Sequence, residues 1–472
     1  MIRSRSATPP RSWPDYAAVW RWHFYAGLLC VPFICWLAIT GSIYAFRPDI
    51  EAWLDRPYEA LHLEGPRASP SSEARAAVMA VPGSVFSHYE PPATPTGAAQ
   101  VVVLTGDARL VRVYVHPGTL QTLKRVQDDH RPMDLVAHLH GQLLLGTRGS
   151  MLVEVAASWA VVMILTGLYL WLPRGAMRLG GTLYPRIWLR GRGFWRDLHA
   201  VTALWVSLVT LFLLLSGLPW SSNWGNYLTW VRNRWAVTAG TPDWPIGGRT
   251  QPASPPGAAT ESSNMPGMSA AEMAQMFPAS RAAKPNDQQS IDLQALDILV
   301  PVAARLHVPR PVWISPPARG VRDWTISSQV QNRPLRVTYT VAPDSGAVTG
   351  RDHFAEKNIV DRIVAITTAT HEGQLFGRLN QTILILTAAS LLLVSISAVV
   401  MWWGRRPAHM LGAPPPGARP HFSAVLVLTI ATLALLLPLF GLSLLLVLAI
   451  DRSLLGRLPA AQRWMGLSPP TA

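Results

Sequence analysis

Residues 140–174 read HGQLLLGTRGSMLVEVAASWAVVMILTGLYLWLPR, and residues 371–405 read HEGQLFGRLNQTILILTAASLLLVSISAVVMWWGR. Each stretch opens on a histidine, with Gly-Gln-Leu directly after it at 140 and after one intervening Glu at 371, and continues through an apolar run of about 20 residues, the length that crosses a bilayer as a helix. Each closes on tryptophan and arginine. A chain that repeats this unit is a helical membrane protein, and the histidine at each entrance is the residue to explain.

The rest of the composition agrees. Of 472 residues, 49% are hydrophobic and only 14% charged, against about 25% charged in soluble domains; the mean hydropathy is +0.21. The net charge of +14 does not imply a nucleic-acid partner, because the excess is arginine beside apolar runs: Arg3, Arg5, Arg11 and Arg21 before the first, then Arg174, Arg178, Arg186, Arg190, Arg192 and Arg196 between the second and third. That pattern sets topology.

The expected organisation is a cytoplasmic N-terminus (1–24), spans at 25–46, 151–172, 199–220 and 381–403, and cytoplasmic loops at 173–198 and 404–422. The first run is too long for a signal-peptide core and lacks a small-residue cleavage site, so it reads as a retained helix. Segments 47–150 and 221–380 then share the outer side. A fifth run, 423–450, fits less simply, because a single crossing would carry Arg452, Arg457 and Arg463 of the tail (451–472) outside. Pro438 and Gly441 permit a kinked or re-entrant path there.

Within the outer segments, residues 100–105 and 110–115 carry β-branched runs, and residues 321–326 and 335–341 repeat the theme before the turn at Pro343-Asp-Ser-Gly. Two small α+β modules are expected. Residues 241–290 turn to Pro, Ser, Gly, Ala and Gln, and receive no fold. Met265, Met268, Met273 and Met276 cluster there; thioethers suit Cu(I), which makes them a speculative copper site.

Four histidines stand at the ends of four spans: His23 and His199 on the cytoplasmic level, His140 and His371 on the outer level, each pair drawn from different helices. Imidazole is a common axial ligand of haem iron, and facing helices can place such a pair about one flat cofactor. Two haem b groups, held by His23 with His199 and by His140 with His371, would make a transmembrane electron path. His138 is an alternative to His140. Arg21 and Arg196 inside, and Arg148 and Arg378 outside, are candidate propionate partners, although interfacial anchoring explains each alone. Flanking tryptophans, among them Trp20, Trp171, Trp220 and Trp402, read as an interfacial belt.

Other chemistries find no motif. Cys30 and Cys35 lie inside the first span and no CxxCH attaches a haem covalently. No dinucleotide fingerprint, Walker A loop or HExxH is present, so electrons are expected from a quinol or a cytoplasmic reductase. No catalytic triad is expected.

The segments Trp22-His-Phe-Tyr-Ala-Gly, Leu139-His-Gly-Gln-Leu, Gly167-Leu-Tyr-Leu-Trp-Leu-Pro-Arg, Asp197-Leu-His, His371-Glu-Gly-Gln-Leu-Phe-Gly and Met401-Trp-Trp-Gly-Arg-Arg resemble the PepSY-associated transmembrane family over most of the chain. The strands around Val113 and Val337 look like its PepSY modules. The resemblance implies an α-helical integral membrane bundle, four spans plus the fifth run, with two periplasmic PepSY-like α+β modules, set in a bacterial inner membrane. It also implies the activity of members that are dihaem reductases of periplasmic ferric siderophores, with His23, His140, His199 and His371 as the span-associated histidines. The rivals are a cupric reductase using the methionine cluster, and a haem-free scaffold whose modules bind or inhibit partners.

Overall fold

The computed structural model describes residues 16–173, 179–234, 291–318, 320–414, 424–453 and 457–466. In chain order, helix α1 (Tyr16–Tyr44) is followed by α2 (Arg47–Asp55) and α3 (Pro70–Ala80), then strands β1 (Val85–Glu90), β2 (Ala99–Leu104), β3 (Leu110–Val115) and β4 (Thr122–Gln127). Helices α4 (Pro132–Gln142) and α5 (Gly146–Trp171) complete a first half. The second half runs α6 (Arg192–Gly217), α7 (Ser222–Arg234), α8 (Ala295–Arg305), β5 (Val312–Ser315), β6 (Trp324–Ser328), β7 (Val337–Val341), β8 (Val348–His353), α9 (Ile359–His371) and α10 (Arg378–Trp403). The order in each half is the same: span, helix and four strands, short helix, span.

Helices α1, α5, α6 and α10 are long and apolar enough to cross a membrane, and the chain is a multi-pass membrane protein. They form a closed ring in which α1 packs on α5 and α10, and α6 on the same two. The packing faces are small: Ala18, Ala26, Cys30 and Ala38 of α1, Ala156, Ser158 and Ala160 of α5, and Ser395 and Ser397 of α10 are buried, while Leu28, Leu208, Leu386 and Ile396 are exposed. Lipid tails give apolar side chains no reason to hide, so close approach through small residues holds the helices together.

The eight strands form one antiparallel sheet in the order β4-β3-β2-β1-β5-β6-β7-β8. The two expected modules are thus joined edge to edge, with Tyr89 opposite Ile314 at the seam. Alternation along each strand sends Val101, Val103, Val113, Ile314, Ile326 and Val341 to one face, where they pack with Ala74 and Ala77 of α3 and Leu296, Leu299 and Val302 of α8. Asp297 of α8 accepts from the backbone nitrogen and hydroxyl of Ser71 at 2.9 and 2.8 Å; a carboxylate on the first turn of α3 is favoured by the helix dipole and ties the two modules together. The opposite face is left for Gln100, Arg112, Thr325, Ser327, Thr338 and Thr340, and it looks onto the bundle.

The fifth apolar run is two helices, α11 (Ala424–Leu436) and α12 (Pro438–Ser453). Leu437 and Phe440 are buried with Val161 and Leu218, and Trp224 Nε1 donates to the Leu436 carbonyl at 2.8 Å. A Cβ at Gly441 would sit 3.0 Å from that of Ala434, a contact that only a reversal of the chain produces between residues seven apart. The following helix α13 (Pro459–Met465) returns to the start of α1, where Tyr25 donates to the Met465 carbonyl at 2.8 Å. The run is a helical hairpin, and Arg452 and Arg463 stay on the side of the arginine-rich loop.

Candidate functional site: two opposed histidine pairs

A cavity of about 3510 Å³ runs between the four spans and up to the sheet, several times the ~300–1,000 Å³ of an ordinary small-molecule site. All four span-end histidines line it. On the arginine-loop side, His23 of α1 faces His199 of α6 with ring centroids 6.4 Å apart and planes at 84°. On the sheet side, His140 at the end of α4 faces His371 at the end of α9, also at 6.4 Å and at 79°. Each pair takes one histidine from each half of the chain.

The hydrogen bonds fix which nitrogen looks inward. His23 Nδ1 lies 3.0 Å from the Met163 carbonyl and 3.2 Å from Thr166 Oγ1; His199 Nδ1 lies 3.0 Å from the Val394 carbonyl and 3.2 Å from Ser397 Oγ. His140 Nδ1 is 2.9 Å from Thr40 Oγ1, and His371 Nδ1 is 2.9 Å from Ser216 Oγ. Every one of these hydroxyls gives its proton to a carbonyl of its own helix: Thr40 to Trp36, Thr166 to Val162, Ser216 to Phe212 and Ser397 to Val394. The hydroxyl can then only accept, so Nδ1 carries the ring proton in all four histidines. Nε2 keeps its lone pair for the cavity, the arrangement typical of metal-ligating imidazole.

The next residue in each case is small. Gly41, Gly167 and Gly217 follow Thr40, Thr166 and Ser216, and Ala398 follows Ser397. A Cβ at Gly41 or Gly167 would come within 3.0 Å of Cε1 of His140 or His23, and one at Gly217 within 3.2 Å of Cε1 of His371. A hydroxyl followed by a small residue therefore seats each ring, a signal present in the sequence but hidden by separations of 100 to 198 residues between partners.

A first-row metal ion binds imidazole nitrogen at about 2.0–2.1 Å, so two rings ligating one ion from opposite faces have centroids roughly 6 Å apart. Both pairs meet that spacing. Their free Nε2 atoms, the missing Cβ atoms and the cavity size fit a planar iron macrocycle held by two axial histidines. No cluster of three or more His, Cys, Asp or Glu suited to a metal ion occurs among the described residues.

His138 lines the cavity, but it is His140 whose ring opposes His371. Arg196 lines the cavity and is paired with Asp197 at 2.7 Å; Arg21 donates to the Pro414 carbonyl at 3.1 Å. Arg148 is exposed, and Arg378 pairs with Asp49 at 2.8 Å on the surface; neither is part of the cavity wall. Met265, Met268, Met273 and Met276 lie outside the described residues. Sequence reading passed over Glu154, buried in the second span, which accepts from Ser221 Oγ at 2.8 Å and from the Trp224 backbone nitrogen at 3.1 Å and so holds the first turn of α7.

The cavity continues to the polar face of the sheet, where Trp313, Thr325, Ser327, Thr338 and Thr340 line it. At the seam, His88 stacks on Trp313 with centroids 4.1 Å apart. Burial pushes the His88 imidazole down to about 3, and the neighbouring Arg112 adds to the effect. Arg112 is itself buried, paired with Glu90 at 2.6 Å and Asp128 at 2.7 Å.

A ring of four spans with a two-level histidine frame, topped by a doubled antiparallel sheet, is the architecture of this multi-pass membrane protein. The chain belongs to the family described as the PepSY-associated TM region, which matches residues 20–405. No curated protein matches it.

Proposed function

We propose that the chain is a b-type dihaem electron carrier of the bacterial inner membrane that reduces a ferric siderophore at the periplasmic face of its sheet. The observation that carries this reading is the pair of equal 6.4 Å histidine separations at two depths of one bundle. Bound between such histidines, haem supplies one-electron transfer; everything else is the work of the chain.

Nε2 of His23 and His199, and of His140 and His371, would be the axial ligands. The hydroxyl and carbonyl partners of Nδ1 hold the ring orientation and raise the basicity of the ligating nitrogen. Gly41, Gly167 and Gly217 leave room beside the rings. The hydroxyl-rich sheet face with Trp313 offers a polar, oxygen-bearing chelate both hydrogen bonds and a stacking surface. One electron, delivered from a quinol or a cytoplasmic reductase, converts chelated Fe(III) to Fe(II), whose lower charge weakens its hold on hard oxygen ligands. The protein needs no acid–base group for that step.

The test is a reduced-minus-oxidised visible spectrum of detergent-purified protein with haem counted per chain as the pyridine haemochrome. Two haem b per chain is the expected result. A folded, colourless protein from haem-replete cells overturns the reading and favours a scaffold that binds periplasmic partners.

A further inference from the structure

The turn between β6 and β7 enters the cavity wall beside the sheet-side histidine pair. Arg333 in this turn has a side chain only 9% exposed and pairs with Glu372 at 3.3 Å, the residue that follows His371. Its guanidinium lies 4.7 Å from the centre of the Trp220 ring, three positions beyond Gly217. Arg333, Glu372, His371, Trp220 and Gln331 all line the same cavity.

The bonding there is incomplete. Arg333 Nε and Nη1, and both Oε1 and Nε2 of Gln331, are buried without a hydrogen-bond partner. Leaving several donors of one buried cation unmade is costly. Both bidentate edges of a guanidinium share Nη2, here bonded to Glu372, so Nε and Nη1 each offer an incoming carboxylate a charge-assisted bond on its own side.

We infer that Arg333, assisted by Gln331, is the carboxylate clamp that receives a propionate of the sheet-side haem. The inference rests on the dihaem reading above. It also gives the clamp a position between two structures: the strands that flank it, β6 and β7, present Thr325, Ser327, Thr338 and Thr340 to the acceptor cleft, so one turn joins the cleft floor to the edge of the cofactor. Arg333 is a positioning and charge-setting residue. A cation beside the propionate favours the reduced macrocycle, which carries one positive charge less than the oxidised one.

The test is an optical redox titration of full-length protein in detergent. Arg333→Gln is expected to keep two haems per chain and to shift the reduction equilibrium of the sheet-side haem about tenfold toward oxidised, which is about 59 mV for a one-electron couple, while Arg333→Lys restores part of the shift. Because loss of the Glu372 pair could impair folding, Gln331→Glu is measured in parallel. It breaks no existing bond, puts a second negative charge in the clamp, and is expected to lower the same potential. Repeating the titrations in a His23→Ala background assigns the shift to the sheet-side haem. Two haems with unmoved potentials in both Arg333→Gln and Gln331→Glu, or a shift with Arg148→Gln instead, overturns the clamp. A wild-type protein without haem overturns the dihaem reading itself.

Discussion

The two histidine pairs share a spacing but not a mounting. His23 and His199 stand on the membrane spans themselves, each facing both a carbonyl and a hydroxyl of the neighbouring span. His140 and His371 end short helices that lead down from the sheet; His140 meets the Thr40 hydroxyl, and His371 meets the Ser216 hydroxyl and the Leu213 backbone. The first pair is set by the bundle alone. The second is set by the bundle and the sheet together, so events on the sheet can reach it.

The sharpest way to break this comparison is to remove one ring from each pair. On the dihaem reading, His199→Ala protein is expected to hold one haem per chain, with the sheet-side centre retained, and His371→Ala protein the reverse; haem counting and redox titration of both variants check this. Equal loss of both haems in either variant would show that the levels are not independent.

The Nδ1 partners sharpen the difference. Thr40→Val takes the hydroxyl from His140, and a lost outer-shell partner typically costs 10–100-fold in metal affinity. Thr166→Val leaves His23 its Met163 carbonyl and is expected to cost less. Haem transfer to excess apomyoglobin, timed for each variant, measures the gap.

Acid separates the sheet from the bundle. His88 is neutral in the folded sheet, its value lowered from 6.5 to about 3. Its contribution to stability is therefore fully present above pH 6.5 and declines as pH falls from there toward 3. By pH 5 the loss is about 2 kcal/mol. Tryptophan fluorescence melts at pH 7.5 and pH 5 are expected to show the sheet destabilised in acid, with the slope reduced in His88→Phe protein.

The smallest effect is steric. Gly167→Ala and Gly217→Ala put a Cβ 3.0 and 3.2 Å from Cε1 of His23 and His371, so each ring must shift by a few tenths of an ångström, at about 0.5–1.5 kcal/mol if its rotamer is strained. On the dihaem reading, both variants are expected to keep two haems with altered midpoint potentials. His371, on its short helix, should yield more easily than His23 on a continuous span, giving Gly217→Ala the smaller shift.

The spans and the four histidines were readable because they depend on local pattern: run length, flanking arginine, and the repeated His and Gly-Gln-Leu at 140 and 371. The strands at β2 and β3 were readable for the same reason. The fusion of the modules was not, because the seam rests on Tyr89 meeting Ile314 across most of both halves. The hairpin of α11 and α12 was legible only as one of two paths: Pro438, Gly441 and the tail arginines permitted a kinked or re-entrant course, but hydropathy measures the length of an apolar run and not its direction, and the contact of Gly441 with Ala434 decides for reversal. Thr40, Thr166, Ser216 and Ser397 look like ordinary helix hydroxyls until the rings they seat are in place. Arg333 carried no signal at all, as a lone arginine in a turn differs from its neighbours only once its burial is known.

Since each pair borrows one ring from each half of the chain, anything that bridges the pairs acts as a rivet. Binding strength at either level becomes cohesion between two halves that could otherwise slide apart in the lipid. A polypeptide of half this length, with one span before its sheet module and one after, would carry a single ring at each depth and could complete both levels only by meeting a second copy about a two-fold axis. The present chain has that meeting built into one strand of peptide, and the arginine-rich loop between α5 and α6 is the stitch.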